Sequence, residues 1–137
     1  MSESLRTADR AYERASRRYS ASFMSNAKWL RLFRAAAKSP AASALARWEL
    51  ISESDHFWQP LPYESELLPS RFQDGRFQPF EYKWIRSVFV PREYRPVARV
   101  GFVRQQPVEA LRQAIEAVGQ FQLEETPDGL TIVAYRV

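Results

Sequence analysis

A chain of 137 residues with 45% hydrophobic and 26% charged side chains has room for one domain, and its ordinary globular proportions argue against general disorder. The absence of cysteine removes disulfides, thiolate nucleophiles and every cysteine-based metal site. The net charge of +4 conceals a polarity: residues 1–47 carry +7, residues 48–80 carry −4, and the remainder is close to neutral at +1.

The first twenty residues, MSESLRTADRAYERASRRYS, are charged throughout and contain no apolar core of a secretion signal. No stretch reaches the ~20 apolar residues that span a bilayer. The expectation from the residues is a cytoplasmic protein that is not inserted in a membrane. Leu5, Ala8, Tyr12, Ala15 and Tyr19 recur at helical spacing, with Arg6, Arg10, Arg14, Arg17 and Arg18 on the other faces. This predicts a basic N-terminal helix over 1–20, docked or forming an arm.

Ser25 or Asn26 is suited to cap a second helix running to about Lys38, with Trp29, Leu32, Phe33, Ala36 and Ala37 on one side and Leu30 flanking them. Lys28, Arg31, Arg34 and Lys38 lie away from that stripe. Ser39-Pro40 stops it, because the residue before proline is driven out of the α region. From Arg47 the period becomes two: Ala46, Trp48 and Leu50 would face one side of a strand, and Arg47, Glu49 and Ile51 the other.

Residues 53–80 hold four prolines and no sustained periodicity, and read as a long acidic and aromatic loop. EYKWIRSVFV, at 81–90, is the strongest strand and has the apolar content of a central one. A further strand is predicted over 97–104, with Ala98, Val100 and Phe102 inward. Pro107 then opens a helix whose buried stripe is Val108, Leu111, Ile115 and Val118, ended by Gly119 in a left-handed cap. TPDG between FQLEE and LTIVAYRV reads as a hairpin turn using a positive φ at Asp-Gly. The sum is a single α+β domain over 1–137: two helices, then a mostly antiparallel sheet in the order β, long loop, ββαββ, with helices on one face.

Few chemistries survive inspection. The one histidine, His56, has Ser52, Ser54 and Asp55 near it in sequence, but a catalytic triad needs members converging from separate elements. One histidine and scattered carboxylates match no metal-ligand spacing, and four isolated glycines build no phosphate cradle. Paired carboxylates, Glu53 with Asp55 or Glu64 with Glu66, are the remaining enzymatic option, beside Phe57, Trp58 and Tyr63 as sugar platforms. Acids in a polar loop are more often simply solvated. No catalytic, cofactor-binding or metal-ligating residue is assigned, and the chain is read as a non-enzyme.

Two binding readings remain. Glu53, Asp55, Phe57, Trp58, Tyr63, Glu64 and Glu66 join aromatics to an acidic rim, the anatomy of a protein-contact hot spot. Arg10, Arg14, Arg17, Arg31 and Arg34 offer a basic helical face for nucleic-acid phosphates.

SNAKWLRLF at 25–33, WELISESDHFW at 48–58 and DGRFQPFEYKWIRSV at 74–88 together resemble an uncharacterised family of small bacterial proteins, the DUF6678 type. The resemblance spans about residues 23–90 and brings no established activity. As a class, small cysteine-free α+β chains rich in tryptophan are also similar to bacterial immunity proteins. By that analogy the partner would be a toxin domain, met by the acidic and aromatic segment.

Overall fold

A computed structural model describes residues 10, 13–14, 17, 19, 21–51, 56–72, 80–95 and 103–136. The predicted 1–20 helix falls mostly outside them, although Arg10, Glu13 and Arg14 are helical. Most of the predicted 97–104 strand also lies outside them.

The chain is of the α+β class. Helix α1 (Asn26–Ala37) begins where Ser25 accepts a hydrogen bond from the Lys28 amide at 3.2 Å, satisfying one of the donors a helix start leaves open. It ends before Pro40, where the Ser39 hydroxyl donates to the Ala36 carbonyl at 2.8 Å. Trp29, Leu32, Phe33 and Ala36 form its buried face. Helix α2 (Val108–Glu116) buries Val108, Leu111 and Ile115. Val118, expected in that stripe, is exposed, because the helix stops at Glu116 and the helical period no longer places it. Gly119 takes no left-handed φ; Ala117 caps the helix in the right-handed region.

The main sheet has five strands: β2 (Leu45–Leu50), β3 (His56–Pro60), β4 (Ile85–Pro91), β7 (Leu123–Thr126) and β8 (Gly129–Val133). Their spatial order is β3-β2-β4-β8-β7, antiparallel throughout. Two-residue ladders complete the described strands. One joins β1 (Ala21–Ser22) to β9 (Tyr135–Arg136), and the other joins β5 (Glu93–Tyr94) to β6 (Arg104–Gln105). β4 is central, as its apolar content implied, but it begins at Ile85, because Tyr82–Trp84 of the predicted 81–90 strand form a 3₁₀ turn. The predicted loop over 53–80 instead contains β3, which pairs with β2 from Leu45↔Pro60 to Glu49↔His56. Its alternation covers only five residues and ends in proline, so the periodicity is too short to stand out in sequence.

After β3 the chain folds back over the helix-bearing face. Residues Glu64–Glu66 form a 3₁₀ turn, Leu67 bridges to Phe72 and Arg71 bridges to Glu81. Leu61, Phe72, Phe80 and Tyr82 are buried. They complete an aromatic cluster around Phe33 and Trp48: Phe33 lies 5.8 Å from Trp48 and 5.2 Å from Phe72, and Trp48 lies 5.6 Å from both Phe72 and Phe80. Each such pair adds about 0.5–1.5 kcal/mol beyond its buried area. Leu61, Phe72 and Phe80 of the proline-rich segment are therefore part of the core.

Tyr82 places a phenol inside this cluster, its hydroxyl donating to the Leu68 carbonyl at 2.6 Å. Burial pushes its pKa up from 10.0 to about 12, against the opposing pull of the Arg34 charge and the Leu68 hydrogen bond. Between those values the unfolded chain gives up a proton that the folded chain keeps. The stability is full below pH 10 and falls as pH rises toward 12, by about 2–3 kcal/mol in all. Urea unfolding of Tyr82→Phe beside the unmodified chain is expected to show that this part of the alkaline loss disappears. Parallel pH profiles would show that Tyr82 is not its source.

At the other end of the sheet, Gln106 ties α2 to two strands. Its side-chain oxygen accepts from the Leu45 amide at 2.7 Å, and its amide nitrogen donates to the carbonyls of Leu45 at 3.0 Å and Pro91 at 2.9 Å. Gln106 thus fastens the start of α2 to β2 and β4.

Candidate functional site: the outer face of the sheet

Residues directly opposite one another on paired strands point to the same side of a sheet. The registers therefore sort the five strands into two faces. The row Phe57–Trp48–Val88–Ile132–Leu123 faces the helices and is buried or half-buried along its whole length. The neighbouring row runs Trp58–Arg47–Phe89–Thr131–Glu124 and faces the other way. A second outer row runs His56–Glu49–Ser87–Val133.

This outer face carries Trp58, 47% exposed, on the edge strand β3. The His56 ring stands edge-on to it with centroids 6.4 Å apart. Two strands away, about 10 Å at the usual strand spacing, Phe89 lies under the Arg47 guanidinium, whose Cζ is 4.8 Å from the ring centroid. Arg47 sits between the two aromatics in register. Its Nε is buried and has no hydrogen-bond partner.

The other charges on this face are paired. Arg86, in a bulge between Ile85 and Ser87, meets the Glu49 carboxylate, to which the Ser87 hydroxyl also donates at 3.4 Å. Arg136 on β9 meets Glu124. Tyr19 leans on Tyr135 with ring centroids 5.6 Å apart, bordering a shallow hollow over Arg86 and Thr131.

The acidic and aromatic residues singled out from sequence do not form one surface. Glu53 and Asp55 lie outside the described residues. Phe57 points inward against Phe80, 5.7 Å between ring centroids, while Trp58 points outward. Tyr63 is 48% exposed but begins the 3₁₀ turn on the side of α1. In that turn Glu66 accepts from the Tyr63 amide at 2.8 Å, and Glu64 lies 3.6 Å from Lys38. Both described acids of the segment thus serve local contacts. Arg10, Arg14 and Arg17 are exposed, as are Arg31 and Arg34 on α1.

Sequence reasoning missed Arg47 and Phe89 as surface residues. The alternation of 45–50 does put Arg47 opposite Trp48, which was a usable signal. Phe89 was hidden by its setting in an almost wholly apolar strand, where nothing local says which face meets solvent.

Among the described residues, no three histidine, aspartate or glutamate side chains group as a metal site would require. No described helix is long and apolar enough to cross a membrane. No protein-family model, curated protein or solved structure matches the chain.

Proposed function

We propose that this chain is a non-enzymatic protein-binding module, of the immunity type that neutralises a toxin by covering it, and that the outer sheet face is its contact surface. The exposure of Trp58 beside Arg47 and Phe89 carries the reading. Tryptophan and arginine are the residues most enriched where binding energy concentrates, and a rigid sheet holds them in place at little entropic cost. This narrows the contact from the seven acidic and aromatic residues within 53–66 to Trp58 and the strands beside it. The acidic balance of residues 48–80 supports a basic partner surface nearby, with steering as its main effect.

The test is titration calorimetry against the product of the reading frame directly upstream. Trp58→Ala is expected to weaken the complex by about 2 kcal/mol, roughly thirtyfold, with an unchanged melting temperature. Unchanged affinity would remove the sheet face as the contact. An upstream frame without a toxin domain would remove the immunity form of the proposal.

A second reading, attachment to nucleic acid, is favoured by the exposure of Arg10, Arg14, Arg17, Arg31 and Arg34. Binding to DNA or RNA through these side chains would weaken steeply with salt as counterions are released. Absence of binding at low salt would end it.

A further inference from the structure

Of the three arginines that the described strands bring to the outer face, Arg86 is neutralised by Glu49 and Arg136 by Glu124. Arg47 has no ion-pair partner among the described residues. Its guanidinium carbon lies over the Phe89 ring and is flanked in register by Trp58; the residue is half-buried, with its Nε shut away from water and unsatisfied.

We infer that Arg47 is the anchor for a single carboxylate, an aspartate or glutamate side chain presented by a protein partner between Trp58 and Phe89. The inference rests on the protein-binding reading and names the chemistry that the face selects. The terminal N–H groups of a guanidinium form a planar fork that matches the two oxygens of a carboxylate. The aromatic neighbours exclude water from the pair once a partner docks, which strengthens it.

Phosphate fits less well. A nucleic-acid backbone presents a run of phosphates and is held by several free cations. Here one free guanidinium stands beside two carboxylates, Glu49 and Glu124, each with its own arginine.

A random-peptide display library selected against the full chain tests the inference. The expected result is a set of peptides with an aspartate or glutamate beside an apolar residue, bound in a manner that needs Trp58. Changing that acid to its amide should weaken binding by about tenfold or more, the range for a hydrogen-bonded charge. Arg47→Gln should cost a similar factor, and Arg47→Lys should recover only part, since a lysine keeps the charge and loses the fork. The acid-to-amide change leaves the protein untouched, so it decides the matter even if an Arg47 variant unfolds.

Peptides that need Trp58 but tolerate both the amide and Arg47→Gln would overturn the carboxylate anchor and leave the protein-binding face standing. Peptides indifferent to Trp58 and Arg47 alike would overturn both. Tighter binding of oligouridylate than of any selected peptide, lost in Arg47→Gln and steeply salt-dependent, would overturn the inference and assign the face to nucleic acid.

Discussion

Trp48→Ala is expected to lower the unfolding free energy by about 3–5 kcal/mol, the range for truncating a large buried aromatic. Trp48 is fully buried, and its ring meets Phe33, Phe72 and Phe80. Its indole Nε1 donates to the Gln59 carbonyl at 2.9 Å, so truncation also strips a hydrogen bond from the strand that carries Trp58. Most single domains have only about 5–15 kcal/mol in hand, so this variant would be marginal at best. Urea unfolding followed by far-ultraviolet circular dichroism measures the effect. Trp58→Ala, ten positions away on the opposite face, should leave the same curve within about 0.5 kcal/mol. A loss below 1 kcal/mol for Trp48→Ala would contradict its place in the core. This pairing also guards the binding test, because it shows that Trp58 can be removed without disturbing the sheet.

The second large effect is at Gly129. Its pairing with Pro91 brings it against the central strand so closely that an added Cβ would lie 2.2 Å from the Val90 carbonyl oxygen and 2.9 Å from both the Pro91 Cα and a Phe89 ring carbon. Two of those three atoms are backbone of β4, which is held on both sides by β2 and β8 and has little freedom to yield. Gly129→Ala should therefore cost about 1–3 kcal/mol, toward the upper end.

The comparison with Gly129→Asn separates two explanations. Asparagine is tolerated where a positive φ is the requirement, but a close approach penalises it at least as much as alanine. Gly129 has no positive φ, and the turn is made by Pro127-Asp128 between the paired residues Thr126 and Gly129. Asparagine is therefore expected to be no better than alanine in thermal melts. An asparagine variant as stable as the unmodified protein would restore the turn explanation.

These two positions show where local reading stopped. The hairpin at 123–133 was visible because turn residues and flanking alternation lie within a dozen positions. The reason for its glycine was not, since it comes from β4, some forty residues earlier. Helix α1 was legible from end to end: Ser25 caps it, Ser39-Pro40 ends it, and the Trp29, Leu32, Phe33, Ala36 stripe is its buried side. The short strand β3 was lost inside a proline-rich segment because five residues do not make a convincing period. Helix α2 is legible in its stripe of Val108, Leu111 and Ile115, but it ends at Glu116 with Ala117 as its cap and not at Gly119.

The functional face divides in the same way. Composition and spacing alone determined the α+β class, the lack of cysteine chemistry, a central strand within 81–90 and the placement of Arg47 on the opposite face from Trp48. Those properties depend on a residue and its near neighbours. Only the tertiary structure decided that Leu61 and Phe72 fold inward, that Glu64 and Glu66 make contacts within the chain, and that Trp58, Arg47 and Phe89 share one outer row. The shared outer row follows from strand pairing between segments about ten to forty residues apart. A strand's own sequence says that it has two faces, and only its partners say which one is left to meet another molecule.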